Sequence, residues 1–216
     1  MGNTHNASKK GLNKFDFLTK SAIDLGAVNA KVIPVRKIAV EDRAVLKCRV
    51  GCPTFGKKLM CPPFVPTVDE FRKMLRDYRY ALLARFKAEA ETDEEVARSL
   101  LRCEFDPAMP KELREKAAKF WSDWNKDKQR IHLAVLEIEK TAFNRGYTFA
   151  VGFTAGSCAL CEKCNVEKGT CVHPTMARYP EHAVGVNMKK TAEKAGMTIT
   201  FPFRNKPDPI ALLLID

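Results

Sequence analysis

The spacing of the cysteines constrains this chain more than any other feature of its sequence. Its second half contains a C-x2-C-x2-C run, Cys158, Cys161 and Cys164, and Cys171 follows after six further residues. Such a run wraps one face of a 4Fe-4S cube, because each thiolate then reaches a different iron. A zinc ribbon usually has two well separated C-x2-C pairs, which would leave the middle cysteine without a metal. We therefore predict a 4Fe-4S cluster on these four cysteines, with zinc or reduced structural thiols as the alternatives.

A second group of cysteines, Cys48, Cys52 and Cys61, lies in a glycine- and proline-rich loop over residues 48–66. The spacings of three and eight intervening residues match no standard metal-binding motif. Three thiolates leave the fourth position to be filled from elsewhere in the chain or to stay open for a substrate. We predict a second cluster site here, so that the chain holds one 4Fe-4S cluster or two. Plain thiols in a turn-rich loop are the alternative.

The sequence does not decide which metal site, if any, Cys171 and Cys103 belong to. In two-cluster ferredoxins the distant cysteine of one run binds the other cluster, so Cys171 completes either its own group or the earlier one. Cys103 is the remaining cysteine, and it follows Leu100 and Leu101 at the end of a predicted helix. Free cysteine packs as a small buried hydrophobe, which favours a structural role for Cys103 over a role as a ligand.

The cysteines also bear on the cellular compartment. A chain of 216 residues buries a sizeable core without disulfides, and cysteines in a reducing cytoplasm are more often metal ligands or catalytic groups. No stretch reaches the roughly 18 apolar residues of a membrane span. Residues 1–10 are polar and lack the apolar centre of a signal peptide. We expect a cytoplasmic protein that does not associate with membranes.

Hydrophobic periodicity predicts one layered domain of the α/β or α+β class. The predicted helices cover residues 13–25, 67–78, 92–103, 110–144 and 186–195, and the predicted strands cover residues 30–40, 80–86, 147–153, 198–203 and 210–215. A break of the long helix near Asn125 is left open, and turn residues 205–209 indicate a hairpin between the last two strands. We expect a mixed sheet, antiparallel at least at its C-terminal edge, with helices packed on it and two cysteine-rich metal-binding loops.

The expected domain organisation is simple. Residues 1–12 are expected to form a flexible tail, and residues 13–216 a single metal-binding domain, because the sequence contains no internal repeat and no convincing linker.

Basic residues are concentrated around the first cysteine loop. The chain has 37 Lys and Arg against 26 Asp and Glu, a net charge of +11. Eight of the basic residues form a patch within residues 31–58, at positions 31, 36, 37, 43, 47, 49, 57 and 58. Such a patch stabilises a reduced anionic cluster, docks an acidic redox partner such as a ferredoxin, a flavodoxin or a metalloenzyme, or holds a phosphate-bearing substrate. Nucleic acid is disfavoured because few aromatic residues interleave. A solvated surface without a partner is the remaining alternative.

Several motifs occur in an order that resembles a known family. They are Cys48-x3-Cys52-Pro-x-Phe-Gly-Lys-x3-Cys61-Pro-Pro, Tyr147-x-Phe-Ala-x-Gly-Phe, the C-x2-C-x2-C run, Cys171-x-His-Pro and the segment 178–187. Together they resemble a family of prokaryotic proteins described only as predicted metal-binding, over residues 30–200. The resemblance implies cysteine-bound metal and offers no catalytic residue.

Three functional hypotheses follow. The first is an iron-sulfur protein that passes electrons to, or reductively activates, a partner metalloenzyme in an anaerobic metabolism. The second is an enzyme whose three-cysteine 4Fe-4S cluster keeps one iron open for a substrate, in a sulfur-removal or dehydration reaction. The third is a zinc-dependent nucleic-acid-binding module. The sequence has no nucleotide-binding glycine motif, no nucleophile signature and no radical-enzyme C-x3-C-x2-C motif.

Overall fold

The computed structural model describes residues 14–100, 106–200 and 203–216. The expected tail over residues 1–12 and the thiol of Cys103 lie outside these residues. The described elements are, in chain order, helix α1 (Asp16–Asp24), strand β1 (Ala27–Pro34), helices α2 (Asp42–Arg49) and α3 (Val68–Met74), strand β2 (Tyr80–Phe86), helices α4 (Glu94–Ser99) and α5 (Lys111–Phe143), strand β3 (Val151–Phe153), helix α6 (Met188–Ala195) and strand β4 (Ile210–Ile215). Short 3₁₀ helices cover Val35–Lys37, Leu75–Asp77 and Glu181–Val184.

The four strands form one sheet in the order β1-β2-β4-β3, and all three neighbouring pairs are antiparallel. Leu82 of β2 lies opposite Val32 of β1 and Leu213 of β4. The sequence predicted a mixed sheet, antiparallel at its C-terminal edge, and the antiparallel pairing extends across the whole sheet. A single parallel bridge, Thr154 to Pro180, lies just beyond β3. The predicted layered α/β domain is confirmed.

Each face of the sheet builds its own core. On one face, Leu82 and Leu213 pack with residues of α1 and α5. On the other face, Leu83 and Leu212 pack with residues of α3, α6 and the 3₁₀ helix Glu181–Val184. Alternate residues of a strand point to opposite faces of the sheet. Because helices cover both faces, successive residues of β2 and β4 are buried, which explains why these strands are continuous apolar runs in the sequence. The sheet is therefore the buried base on which the cysteine segments rest.

Helix α5 is continuous over its 33 residues and has no break near Asn125. No proline or glycine interrupts its interior, so nothing in its sequence forces a kink. The buried carboxylate of Asp127 accepts the backbone N–H groups of Glu89 and Ala90, and Arg130 pairs with it at 2.7 Å. These contacts fasten the helix to the chain that follows β2.

Two sequence predictions fail in ways that matter for the site. Helix α2 was not predicted, and it places Cys48 in a last helical turn instead of a loop. The predicted strand over residues 198–203 is also wrong for its described residues, which lie outside any strand. None of its described residues pairs with β4, which pairs with β2 along one edge and with β3 over Leu212, Leu213 and Leu214 along the other.

Within the described residues, no helix combines the length and the apolar character that crossing a membrane requires.

Candidate metal centre

The first three cysteines converge at the end of helix α2. Cys48 and Cys61 are buried, each with 4% of its surface exposed, and Cys52 is half-buried. The hydroxyl of Thr54 lies 3.2 Å from the sulfur of Cys52 and 3.8 Å from the sulfur of Cys61. One threonine hydroxyl thus joins two of the three thiols in the first set, the name used below for Cys48, Cys52 and Cys61.

Backbone turns fold the chain around the first set. Gly56 has a φ of +67° and donates its N–H to the carbonyl oxygen of Pro62 at 3.0 Å. Cys61 donates its own N–H to the carbonyl oxygen of Lys58 at 2.9 Å, and the following Pro62-Pro63 peptide is cis. A positive φ favours glycine, so the residue at position 56 allows the chain to double back. The turns bring Cys61 back toward the end of α2.

The other four cysteines line a single pocket. Cys158, Cys161, Cys164 and Cys171 are all half-buried and are called the second set below. The remaining residues that line this pocket are Lys58, Leu59, Met60, Leu160 and His173. Of the two placements that the sequence left open, the structure puts Cys171 with the run that precedes it.

The two sets touch through residues 58–60. The N–H of Leu59 donates to the sulfur of Cys164 at 3.4 Å. The ammonium of Lys58 donates to the carbonyl oxygen of Cys158 at 2.5 Å. The same three residues precede Cys61 in the chain. Seven cysteines that are far apart in sequence therefore form one continuous cysteine-rich region.

Side chains of helix α5 hold the second cysteine segment through hydrogen bonds. Lys128 donates to the hydroxyl of Ser157 at 3.3 Å, and Gln129 donates to the carbonyl oxygen of Ala159 at 2.7 Å. One turn further along, Nε2 of His132 donates to the carbonyl oxygen of Met176 at 2.7 Å. This contact gives the buried side chain of His132 a structural role.

A buried ion pair closes the same segment. Arg178 pairs with both carboxylate oxygens of Glu139 on α5, at 2.8 Å and 2.5 Å, and each side chain is only 17% exposed. Glu139 also accepts the N–H of Gly152 in β3. A bidentate pair of this kind fixes both position and orientation. It ties the end of the second cysteine segment to both the helix and the sheet.

The electrostatics favour a cation beside the thiols. Burial, with further contributions from the charges of Cys52, Cys61 and Glu181, raises the pKa of Cys48 to about 11. Burial likewise raises the pKa of Cys61 and that of Cys158. Several clustered thiols cannot all ionise without a compensating positive charge, and metal binding supplies one while displacing the protons. The region has the donor chemistry of a thiolate metal site.

Two lysines contribute positive charge at this place. Lys58 lies close enough to Cys61 and Cys158 to favour their ionised forms. Burial and the neighbouring charge of Lys58 lower the pKa of Lys128 to about 8, while the nearby thiols oppose that change. Cationic side chains around an anionic cluster raise its reduction potential. Both lysines thus lie where they would tune a bound group.

Most of the chain matches the model of a known protein family. The family model for Predicted metal-binding protein (DUF2284) matches residues 31–215. The chain belongs to this family. The resemblance inferred from the motifs is confirmed, and the match includes both cysteine sets. No curated protein and no solved structure matches the chain. Metal binding is accordingly the function that family membership supports.

The sequence did not single out three residues that lie beside the thiols. Thr54 was hidden within the first cysteine loop, and Lys128 lies on a helix that gave no signal beyond its periodicity. Glu181 lies in the segment 178–187 that the family resemblance includes, and this was the only sequence signal pointing to it. Lys128 and Glu181 reach the site through tertiary packing, which the spacing of residues along the chain does not show, whereas Thr54 is a local neighbour of Cys52.

Proposed function

We propose that this protein binds iron-sulfur clusters of the 4Fe-4S type and exchanges electrons with a partner protein. The observation that carries this proposal is the contact between the two cysteine sets through residues 58–60. Residues 58–60 precede Cys61 and also contact the second set, so redox groups bound at the two sets would lie close to one another, as electron transfer requires. A single structural metal would need only one of the two sets.

The residues present fit such a group by their chemistry. Cys158, Cys161, Cys164 and Cys171 would hold one cluster, since their four thiols line one pocket. The pocket is otherwise mainly apolar, and the amide of Leu59 already donates to a cysteine sulfur. Hydrogen bonds to sulfur and low solvent exposure are the means by which proteins set a cluster's potential. When bound, a 4Fe-4S cluster supplies one-electron redox chemistry.

The spacing of the side chains favours a cluster over zinc. A tetrahedral zinc site needs four ligands within about 2.3 Å of one ion. In the described part of the chain, no three Cys, His, Asp or Glu side chains are grouped as they would be around a single metal ion. The middle cysteine of the run also has a role only in a cluster.

The surface next to the first set suits an acidic partner. Lys47 and Arg49 flank Cys48 at the exposed end of α2. The exposed side chains of Leu46 and Phe64 add apolar surface there, with 56% and 43% of their area accessible. A groove between α2 and residues 62–69 adjoins them. Redox partners form small interfaces in which charge steers the encounter. We propose that a ferredoxin, a flavodoxin or an acidic metalloenzyme docks at this patch.

Part of the basic patch has a different role. Lys31 donates to the carbonyl oxygen of Ala195 at 2.6 Å, and Arg43 pairs with Glu41 at 2.6 Å. Lys58 points to the second cysteine segment. Lys31 and Arg43 stay exposed while making these contacts, so Lys58 is the one of the three that turns away from the docking surface.

The enzymatic alternative rests on the three-thiol first set. A cluster with only three cysteine ligands leaves one iron to bind a substrate beside the basic patch. Sulfur removal or dehydration would be the reaction class. A shift of the visible spectrum when small anionic thiols are added would favour this alternative, and complete protein ligation of every iron would exclude it.

The deciding experiment is metal analysis of protein purified without oxygen. We expect about eight iron and eight sulfide per chain, falling to about four of each in Cys61→Ser and in Cys161→Ser. Cys103→Ser serves as the matched control and is expected to keep the full complement. About four iron in the unmodified chain would reduce the proposal to one cluster, and zinc without sulfide would overturn it.

A further inference from the structure

Glu181 is brought to the first cysteine set by a segment far away in sequence. It opens the 3₁₀ helix Glu181–Val184, which packs against helix α2. Backbone bonds fix this packing, because Glu41 donates its N–H to the carbonyl oxygen of Gly185 at 2.7 Å. Cys48 occupies the last turn of the same helix α2. The fold thus places a carboxylate beside a thiol 133 positions away in the chain, counting from residue 48 to residue 181.

The carboxylate of Glu181 is buried and incompletely satisfied. The residue is 8% exposed, and its Oε2 atom has no hydrogen-bond partner among the described residues. The other oxygen, Oε1, lies 3.6 Å from Nδ1 of His182, and the carboxylate raises the pKa of this imidazole against the opposing effect of burial. A buried carboxylate oxygen without a partner is costly and requires a physical explanation.

The surroundings of Glu181 make its burial less favourable still. Its carboxylate lies within electrostatic range of Cys48. Cys52 and Cys61 also lie within this range of Cys48. Three thiols and a carboxylate gathered in a buried place carry more potential negative charge than the imidazole of His182 alone can balance. A bound metal adds the missing positive charge and gives Oε2 a partner.

We propose that Glu181 supplies the fourth protein ligand of the metal group held by Cys48, Cys52 and Cys61, through its carboxylate oxygen Oε2. This inference rests on the proposed function for the identity of the metal group. Iron binds carboxylate oxygen alongside softer donors, so a cluster iron accepts such a ligand. The first set is then closed by the protein, which opposes the enzymatic alternative of an open iron.

The test measures iron, sulfide and the electron paramagnetic resonance spectrum of anaerobically reconstituted full-length protein. Glu181→Ala is expected to lose at least one iron per chain and to show the signal of a three-iron cluster after mild oxidation. Glu181→Cys is expected to restore the full iron count with a changed spectrum, because a thiolate then replaces the oxygen ligand. Glu181→Gln, which keeps the size of the side chain, separates ligand loss from misfolding.

Glu167→Gln is the matched control, because Glu167 is exposed and its partner among the described residues is Lys163 of the second cysteine segment. An unchanged iron count and spectrum in folded Glu181→Ala would overturn the inference. Zinc in place of iron in the unmodified chain would overturn the proposed function alone, and loss of one zinc in Glu181→Ala would then still support Glu181 as a ligand. A chain without any metal would overturn both.

Discussion

The two cysteine segments are held in the fold by different means. The first set begins on helix α2, and two of its three thiols are 4% exposed. The second set lies within residues 155–179, all of them described, which contain no helix or strand. Its four thiols are half-buried, and side chains of α5 fasten the segment from one side. One segment is part of the packed core and the other is attached to it.

This difference indicates which part of the site the protein forms unaided. Burial of Cys48 and Cys61 stabilises the first segment in part even before a metal binds. The second segment has few buried apolar side chains, so the entropy of ordering it must be offset by its anchors and by a ligand. We expect the first segment to be preorganised and the second to depend on metal.

The largest expected effect is that of removing the metal. In protein treated with a chelator, amide exchange over residues 157–177 should accelerate by about 1,000-fold, equivalent to about 4 kcal/mol, since a bound ligand stabilises only the ordered segment. Residues 48–66 should change far less. Hydrogen exchange read by mass spectrometry provides the measurement, with strand β4 as the internal control. Equal acceleration in both segments would contradict the proposed difference.

Breaking the ion pair beneath the second segment should have the next largest effect. Arg178→Ala leaves the Glu139 carboxylate buried without its partner and is expected to lower the free energy of unfolding by about 3 kcal/mol. Arg98→Ala is the control, because its pair with Glu94 is exposed and should contribute less than about 1 kcal/mol. Urea unfolding measures both, and similar losses would show that the buried pair does not anchor the segment.

One glycine in each region tests how tightly it is packed. Gly185 has a φ of +94°, and a Cβ there would lie 2.8 Å from a methyl group of Val68. Gly169 has a φ of +63° and nothing within 4 Å of such a Cβ. Gly185→Ala should destabilise by about 3 kcal/mol, from backbone strain and a clash, and Gly169→Ala by about 1 kcal/mol, from strain alone. Thermal unfolding would compare the two, and a larger effect at Gly169 would reverse the assignment of the packed region.

The smallest expected effect concerns pH. Burial lowers the pKa of His132 below its ordinary 6.5, so the unfolded chain takes up a proton at higher pH than the folded chain. Its contribution to stability is therefore complete above about pH 6.5 and decreases as the pH falls below that value.

The midpoint of urea unfolding, measured at about pH 7.5 and about pH 5.5, should fall less in His132→Gln than in the unmodified chain. His173→Gln, at an exposed position, is the control. If both variants kept the full pH dependence, the contact between His132 and Met176 would not be its source.

Local patterns predicted much of this molecule. The capping box at Thr67 and Glu70 marked the start of α3, and both of its hydrogen bonds are present. The apolar runs marked β2 and β4, because both faces of these strands are covered. The C-x2-C-x2-C run identified four thiols that line one pocket. Each of these features is set by residues close together in sequence.

The missed features depend on contacts between distant segments. Helix α2 has a mostly polar sequence, and only its packing against the 3₁₀ helix Glu181–Val184 makes it helical in context. Residues 198–203 have the alternation of a strand, yet the described ones lie outside any strand and β4 pairs with β2 and β3 instead. The meeting of Leu59 with Cys164 likewise has no counterpart in local sequence.

The continuity of helix α5 restricts how the length of this chain can change. Successive residues of an α-helix are rotated by about 100° around its axis. Asp127, His132 and Glu139 each fasten a different part of the chain, so their angular phase must be kept. Inserting or deleting one residue between Asp127 and Glu139 would rotate one of these side chains away from the backbone group that it contacts. Changes in helix length among related chains are therefore expected before Asp127, in the half of the helix that precedes the first anchor.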